Sequence, residues 1–219
     1  EVIGVSDITG HPEIFDGRVK SLHPAIHGPL LARLESEADR VGLDELGYAP
    51  IQIVACNLYP FSAAAAQQPP LEDPDILEMI DIGGPTMVRA SAKNYRNVII
   101  TVNPQSYDEV LSALNDANGA EGVSIEIRKE LALEAFQHTA TYDAAIADEL
   151  HSRFVGRPED SDDTEIQSQR LPDVLLSASI KSHNLRYGEN AHQAAALYLN
   201  PKEIGQHKSL VTARVEGGK

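Results

Sequence analysis

The fold class of this 219-residue chain is decided by Ile51-Gln-Ile-Val-Ala-Cys56, a short apolar stretch bounded by Pro50 and Pro60. Such a run is typical of a strand buried on both faces of a parallel sheet. The stretch Asn97-Val-Ile-Ile-Thr-Val102 has the same character and ends at Asn103-Pro104. Because helical patterns separate the two runs, the sequence predicts an α/β layer fold with a parallel sheet and flanking helices.

Helix signals surround these strands. The pattern predicts a helix over residues 74–80 and, after the Gly83-Gly84-Pro85 break, another over 86–94. A long apolar pattern begins after Ser124, a favourable N-cap, and runs to about residue 155, which indicates one or two amphipathic helices. The alanine run at 63–66 is followed by two glutamines and two prolines, and we interpret it as a solvated loop.

A change of composition marks the domain organisation. Residues 156–170 crowd five carboxylates into a few positions after Pro158, which is too charged a composition to bury. We therefore expect a first domain over 1–155, an acidic linker over 156–170 and the start of a second domain over 171–219. Within the latter, a strand is predicted over 174–180, and residues 186–200 begin a new motif.

Composition and charge exclude several classes of protein. The chain has 33 acidic and 18 basic side chains, and a net charge of −15 argues against binding to a nucleic-acid backbone. Four prolines interrupt the longest uncharged run, residues 46–71, so no membrane-spanning helix is expected there. The single cysteine, Cys56, fits a reducing compartment, and we expect a cytoplasmic protein. The chain begins at Glu1 without a signal-peptide pattern, and we expect it to be trimmed.

Two windows of this acidic chain contain no acidic residue, and both can create local positive potential. They span residues 17–34 and 82–107, and their basic side chains are Arg18, Lys20, Arg33, Arg89, Lys93 and Arg96. At the start of the second window, Asp81-Ile-Gly-Gly-Pro-Thr86 places two glycines directly before a predicted helix. Unpaired N–H groups at a helix start favour an anion or a developing oxyanion. Scattered surface cations beside an ordinary glycine turn are the alternative.

Other chemistries lack their sequence signals. No dinucleotide, P-loop or zinc-protease motif is present, and there is no cysteine cluster. His23 and His27 are four residues apart, but without an acidic third ligand we favour packing and hydrogen bonding near a helix start over metal binding. Cys56 lies inside a predicted buried strand, so it is a poor nucleophile. We expect no metal site, and the remaining candidates are Lys, Tyr and Asp side chains acting without a cofactor.

Six strings in the same order resemble one family. They are Asp16-Gly-Arg-Val-Lys-Ser-Leu-His-Pro24, Cys56-Asn-Leu-Tyr-Pro-Phe61, Asp81-Ile-Gly-Gly84, Ala90-Ser-Ala-Lys-Asn94, Ala135-Phe-Gln-His-Thr-Ala140 and Leu185-Arg-Tyr-Gly-Glu-Asn190. They resemble the bifunctional purine-biosynthesis enzymes that join AICAR transformylase to IMP cyclohydrolase. The resemblance implies a methylglyoxal-synthase-like α/β domain, followed by the start of a cytidine-deaminase-like α/β domain.

The resemblance also implies a reaction and its residues. The family's first domain closes formyl-AICAR (FAICAR) to IMP with loss of water, without metal or cofactor. The matching positions imply a catalytic set of Lys20, Tyr59, Asp81 and Lys93, and substrate contacts from Arg18, Ser21, Asn57, Gly83 and Gly84. We expect Lys93 and the Gly83-Gly84 turn to stabilise an oxyanion, Asp81 and Tyr59 to move protons, and Lys20 to hold or polarise the substrate. Helix capping by Asp81 and packing of Tyr59 on Pro60 are the structural alternatives.

The last string implies the start of the transformylase. Arg186 and Tyr187 match positions that contact the AICAR nucleotide in the family, and Ala191 stands where the family usually has proline. The co-substrate of that part is 10-formyltetrahydrofolate, whose site the resemblance places beyond Lys219. The resemblance also places a phosphate-binding loop before Glu1, and it implies a homodimer that takes small-molecule nucleotides as its partners.

Two other classes of function stay open at this point. One is a non-catalytic domain of the same fold that binds a phosphate-bearing effector. The other is a dimerisation fragment whose cations pair with acids on a partner. The first would keep an anion site without needing Tyr59 and Lys93 together, and the second would bind no nucleotide.

Overall fold

The computed structural model describes residues 2–155, 174–176 and 178–200. The chain divides into two compact units, Glu1–Ile146 and Ala147–Lys219. The predicted linker over 156–170 lies outside the described residues, so the domain boundary at residue 155 stays a prediction.

The strands of the first unit form a short parallel pair. Strand β1 (Ile53–Ala55) lies beside β2 (Ile99–Thr101), with Val54 opposite Ile100. Strand β2 is fully buried, as its sequence predicts, whereas Ile53 in β1 is 42% exposed. The expectation that both strands are buried on both faces is therefore wrong for β1. It has only β2 as a hydrogen-bonded neighbour among the described residues, and one of its edges is open.

Helices surround this strand pair. They are α1 (Val5–Thr9), α2 (Pro24–Leu31), α3 (Glu37–Leu46), α4 (Phe61–Ala65), α5 (Asp73–Glu78), α6 (Gly83–Lys93), α7 (Tyr107–Asp116) and α8 (Ile125–Phe154), with 3₁₀ turns at Pro104–Ser106 and Ala120–Gly122. Helices α5, α6 and α8 match the segments predicted at 74–80, 86–94 and after Ser124 to within a few residues. The alanine run is an exception, because Phe61 and Ala64 are buried and draw the segment into a helix where a loop was predicted.

The start of α6 differs from the prediction in a way that affects the site. The sequence places Gly83 and Gly84 before the helix, but they are its first two residues, and Ile82 is the N-cap. Helix α6 packs its apolar side against β2 and α8 through Val88 and Ala92, which meet Ile100 and Ala135 in the largest apolar cluster. The glycine turn is thereby fixed relative to the strands.

A single 30-residue helix, α8, resolves the choice between one and two helices. Ser124 caps it as predicted, since its Oγ accepts a hydrogen bond from the Ile127 N–H at 3.3 Å. Its buried face carries Leu131, Ala132 and Ala135, which pack in two of the apolar clusters. The helix therefore serves as a backing for the strand pair and for α6.

The second unit contains an antiparallel hairpin, β3 (Ile180–Leu185) and β4 (Ala195–Leu199). Of the predicted strand over 174–180, the described residues 174–176, 178 and 179 lie outside any strand, and Ile180 is the first residue of β3. The connecting loop is closed by the Gly188 N–H, which donates to the Gln193 carbonyl at 2.9 Å, and by the Gln193 side chain, which accepts from the Asn190 N–H at 2.9 Å.

Within the described part of the chain, no helix combines the length and the apolar character needed to cross a bilayer.

Candidate functional site

The candidate site is built around the first turn of α6, where Asp81 acts as a cap. The Asp81 Oδ1 accepts a hydrogen bond from the Gly84 N–H at 2.8 Å. A carboxylate in this position neutralises an unpaired donor and the positive end of the helix dipole. The Gly83 N–H has no hydrogen-bond partner among the described residues. The turn therefore offers one free backbone donor next to a fixed carboxylate.

Two other segments close in on the glycines. A Cβ atom at Gly83 would lie 2.6 Å from the Ser21 Oγ, so the loop before α2 touches this turn. A Cβ atom at Gly84 would lie 2.3 Å from the Asp81 Oδ2 and 2.9 Å from a Leu58 methyl carbon. Glycine is needed at Gly84, where two different side chains stand in the way, and the structure brings Ser21, Asp81, Gly83 and Gly84 together.

Asn57 stands two residues after β1, at the carboxyl end of the strand pair. Its Nδ2 donates to the Val102 carbonyl at 3.1 Å, and its Oδ1 accepts from the Tyr107 hydroxyl at 3.0 Å. These two bonds fix the amide orientation and leave one N–H and one lone pair of the side chain for a ligand. Ligands of α/β proteins bind at the carboxyl ends of parallel strands, which agrees with this placement.

Cys56 links the strand end to the glycine turn. Its Sγ lies 4.0 Å from the Gly84 carbonyl oxygen and contacts it as a weak donor. Burial raises the pKa of this thiol, and the nearby Asp81 carboxylate raises it further. Cys56 is therefore a protonated packing residue at neutral pH, which agrees with the expectation that it is not a nucleophile.

Tyr142 reaches the same site from α8. Its hydroxyl accepts a hydrogen bond from the Asp81 N–H at 2.8 Å and donates one to the Met79 carbonyl at 3.2 Å. The pKa of Tyr142 is raised, first by burial, while the hydrogen bond to the Asp81 N–H opposes the rise. The carboxylate charges of Asp81 and Asp143 raise it further. The Tyr59 side chain is half-exposed.

The basic side chains of the first acid-free window are paired in space. Arg18 contacts Glu78 at 3.1 Å, Lys20 contacts Glu13, and Arg33 forms a two-pronged pair with Asp39. All three acids lie outside residues 17–34, so the expected local positive potential is reduced by partners that the window does not contain. The Arg18–Glu78 pair nonetheless lies at the end of α5, three residues before Asp81.

Lys93 occupies the last turn of α6 and is exposed. At 1.5 Å per residue, about 15 Å of helix separates its Cα from that of Gly83, which is more than a lysine side chain spans. Within a single chain, Lys93 and the glycine turn are therefore too far apart to act on one oxyanion, and that expectation is wrong. The end of α6 is held by Asn94, whose Nδ2 donates to the Leu30 and Ala32 carbonyls at 2.9 and 2.8 Å.

Arg186 and Tyr187 lie in the second unit, at the end of β3. Both side chains are exposed, with Tyr187 at 51%. They stand at the start of the loop that Gly188 and Gln193 close.

Metal binding finds no support in the described residues, where no group of three or more His, Cys, Asp or Glu side chains is arranged to hold an ion. His23 instead caps α2, since its Nδ1 accepts from the Ala25 N–H at 3.1 Å. The preferred interpretation of His23 is confirmed. His27 is partly buried in α2, and burial lowers its pKa.

Sequence reasoning missed Tyr107 and Tyr142, whose hydroxyls contact Asn57 and the backbone of Asp81. A signal for Tyr142 exists in hindsight. It lies seven residues, or about two turns, after Ala135 on α8 and so shares the inward face. A buried tyrosine usually finds a partner for its hydroxyl.

These observations define a class: a mixed α/β protein with a polar site at the carboxyl end of a parallel strand pair, beside a helix N-terminus. The sequence model of the AICARFT/IMPCHase bienzyme family matches residues 91–219. The chain belongs to this family.

Individual relatives support this family assignment. The bifunctional purine biosynthesis protein PurH of Persephonella marina is 45% identical over 216 residues, which cover 99% of this chain and 38% of the relative. PurH of Bacillus cereus (strain G9842) is 45% identical over 201 residues, covering 92% and 36%. The chain thus spans under two fifths of the length of these relatives. A solved structure, "Crystal structure of ForH", is similar with a TM-score of 0.58 and 36% identity, over 67% of this chain and 74% of that one.

Proposed function

We propose that residues 1–155 form the cyclohydrolase domain of a bifunctional purine-biosynthesis enzyme and close FAICAR to IMP. Membership of the bienzyme family and 45% identity to proteins named for purine biosynthesis support this proposal. The observation that carries it is the Asp81 carboxylate, held at the start of α6 beside the free Gly83 N–H. This arrangement puts a proton acceptor, the carboxylate, next to an N–H that can donate a hydrogen bond to an oxyanion.

The reaction needs both groups. The carboxamide nitrogen of FAICAR attacks the formyl carbon, so a C–N bond forms and the nitrogen loses a proton. The formyl oxygen gains negative charge and is protonated to a hydroxyl. The C–O bond then breaks as the formamide nitrogen loses its proton and forms a C=N bond, so the oxygen leaves as water with one proton from each nitrogen. An enzyme accelerates these steps by holding nitrogen and carbon together, stabilising the oxyanion and moving the protons.

We assign the following roles to the residues that the family resemblance names. Asp81 and Tyr59 move protons, and the Gly83 N–H stabilises the oxyanion. Ser21, Asn57 and Gly84 shape the substrate pocket. Arg18 and Lys20 bind the substrate, and each leaves its ion pair, with Glu78 and Glu13 respectively, to do so. No metal or cofactor is assigned to this step.

Lys93 is proposed to contact a different part of the substrate from the glycine turn, because α6 keeps the two apart. A nucleotide is elongated and can contact groups at both ends of one helix. The flexible stem of lysine suits it to such a contact.

The rest of the chain belongs to the second activity in this proposal. Residues 156–170 are the linker and 171–219 begin the transformylase domain, in which Arg186 and Tyr187 contact the AICAR nucleotide and 10-formyltetrahydrofolate supplies the formyl group. We assign methylglyoxal-synthase-like and cytidine-deaminase-like folds to the two domains, and a cytoplasmic homodimer to the whole protein.

The test uses the complete protein and measures conversion of FAICAR to IMP by ultraviolet absorbance. Asp81→Asn keeps an oxygen for the Gly84 N–H, since asparagine is a good cap, but removes the carboxylate. We expect Tm to change little and kcat to fall by about 10²–10⁴, the usual contribution of a general acid or base. Asp44→Asn, on the exposed side of α3, is the matched control.

Three outcomes would redirect the proposal. Full turnover by Asp81→Asn would remove Asp81 from the chemistry. Binding of IMP without any FAICAR conversion by the unsubstituted protein would favour an effector-binding domain, and calorimetry with IMP against inorganic phosphate would show it. Absence of any IMP binding would favour the dimerisation fragment.

A further inference from the structure

The hydroxyl of Tyr142 bridges two backbone groups on either side of Ile80. It accepts from the Asp81 N–H at 2.8 Å and donates to the Met79 carbonyl at 3.2 Å, and so uses its proton and one lone pair on a single turn. This turn links the end of α5 to the start of α6. Tyr142 itself lies on α8, 61 residues further along the chain.

The rest of Tyr142 is anchored in an apolar cluster. Its ring packs edge-on against Phe61, with ring centres 6.3 Å apart, and it borders the cluster formed by Phe61, Ala64 and Ile76. Phe61 and Ile76 are fully buried. The hydroxyl is therefore presented from a rigid base, and a phenylalanine at this position would keep the packing and lose only the two hydrogen bonds.

The segment held by this hydroxyl carries the carboxylate that caps α6. The backbone of Asp81 is held by Tyr142, and its side chain is held by the Gly84 N–H. Removing the hydroxyl frees the Asp81 N–H and leaves the bond from the Gly84 N–H as the only polar restraint on Asp81 within the described part of the chain. The Asp81 carboxylate then lies on a Met79–Asp81 turn that is less restrained.

We propose that Tyr142 is a positioning residue for Asp81: its hydroxyl clamps the Met79–Asp81 turn so that the carboxylate is aligned with the substrate at the start of α6. This inference rests on the proposed function. Small displacements of a catalytic group can cost up to about 10²-fold in rate, so a clamp of this kind acts mainly on kcat.

The experiment is a double-mutant cycle in the complete protein with Tyr142→Phe and Asp81→Asn. For Tyr142→Phe alone, we expect kcat for FAICAR to fall about tenfold or more while KM changes less than about twofold. In the Asp81→Asn background, the same change should have no further effect on kcat, because there is no carboxylate left to align. Tyr48→Phe is the control that should retain the basal kcat, because the Tyr48 ring faces Gly28 on α2 rather than the Met79–Asp81 turn.

A second measurement is independent of activity. Amide hydrogen exchange at Asp81 should become faster in Tyr142→Phe, since its N–H loses its acceptor, and should be unchanged in Tyr48→Phe. Unchanged exchange at Asp81, or an equal loss of kcat in both backgrounds, would overturn the clamp. If the unsubstituted protein converts no FAICAR while exchange at Asp81 responds to Tyr142→Phe, the proposed function is overturned and the contact itself stands.

Discussion

At the scale of single residues, the two interpretations of Asp81 turn out to be compatible. Its Oδ1 caps α6 through the Gly84 N–H, which is the structural alternative that the sequence left open. The second oxygen, Oδ2, lies so close to Gly84 that any side chain there would meet it. One carboxylate can thus fix the helix start and remain available to a substrate, because it has two oxygens with several lone pairs.

Gly84→Ala tests this close approach. The added Cβ would meet the Asp81 Oδ2 at 2.3 Å and a Leu58 methyl carbon at 2.9 Å, so the cap must move. We expect a loss of about 1–3 kcal/mol in the free energy of unfolding, measured by urea denaturation. Gly42→Ala is the matched control, because no atom lies within 4 Å of its new Cβ on α3. That variant should gain roughly 0.4–1 kcal/mol. Equal effects at the two glycines would contradict the tight packing at Gly84.

His27 gives the fold a dependence on pH. Its Nε2 is buried without a hydrogen-bond partner in the described part of the chain, and burial lowers its pKa. The unfolded chain takes up this proton near pH 6.5, whereas the folded chain does so only at lower pH. At a pH between these two pKa values of His27, the unfolded state binds more protons than the folded state, so the free energy of unfolding falls as the pH falls.

His27→Gln removes this titration. As the pH is lowered from about 7.5 to 5.5 across the unfolded pKa, we expect Tm of the unsubstituted protein to fall more than Tm of the variant. Circular dichroism at a series of pH values measures the difference. His11→Gln, at an exposed position, is the control. A difference between the curves that is constant with pH would show that His27 does not contribute to the acid sensitivity.

At the scale of elements, local pattern predicted what local interactions determine. The 74–80 and 86–94 helices, the cap at Ser124 and both strands of the parallel pair were found from apolar spacing and capping residues. The start of α6 was not, because glycine and proline usually end a helix. Here the Asp81 side chain satisfies the Gly84 N–H and allows the helix to begin at Gly83.

Interactions between distant parts of the chain escaped prediction. The acid-free window at 17–34 predicts positive potential, yet Arg18 finds Glu78 and Lys20 finds Glu13. Tyr142 meets Asp81 across 61 positions. The spacing of residues along one helix or strand does not predict contacts between distant parts of the chain. Family resemblance supplied the candidate residues, and the structure adds which of them share a location: Asp81 with the glycines and Ser21, but not Lys93.

Arg128 shows how α8 holds its neighbours. The side chain is 5% exposed, and it donates to the carbonyls of Val123 at 3.1 Å, Tyr95 at 3.4 Å and Ala120. Arg128→Met would leave these acceptors without their donor, and we expect a loss of about 2–4 kcal/mol by urea denaturation. Arg128→Lys should not restore it, because an ammonium lacks the planar fork.

Arg40→Met is the matched control for that prediction. Arg40 is exposed, and within the described part of the chain its side chain donates to the Leu34 carbonyl alone, at 2.7 Å, so its loss should cost less than about 1 kcal/mol. If Arg128→Met and Arg40→Met were equally mild, water would be replacing the arginine at the three carbonyls.

At the scale of the whole molecule, a net charge of −15 opposes both compactness and the approach of an anionic substrate. The two effects respond to salt in different ways. Repulsion among many surface carboxylates is screened over a Debye length of about 10 Å at 0.1 M salt. The exposed ion pairs at Arg18 and Lys20 weaken under the same conditions, but such pairs contribute little to stability. Added salt should therefore change the stability mainly by screening the repulsion, and so should raise it.

The resulting prediction has two halves of opposite sign. Raising NaCl from about 0.01 to 0.15 M should raise Tm by about 2–4 °C, equivalent to about 1 kcal/mol for a chain of this size. The affinity for IMP should fall over the same range, because a bound phosphate interacts with nearby cations such as Arg18 and Lys20 rather than with the net charge. Calorimetric titration at each salt concentration measures the second half. A rise in IMP affinity with salt would mean that the acidic surface governs binding, and it would remove the basic side chains of residues 17–34 from the site.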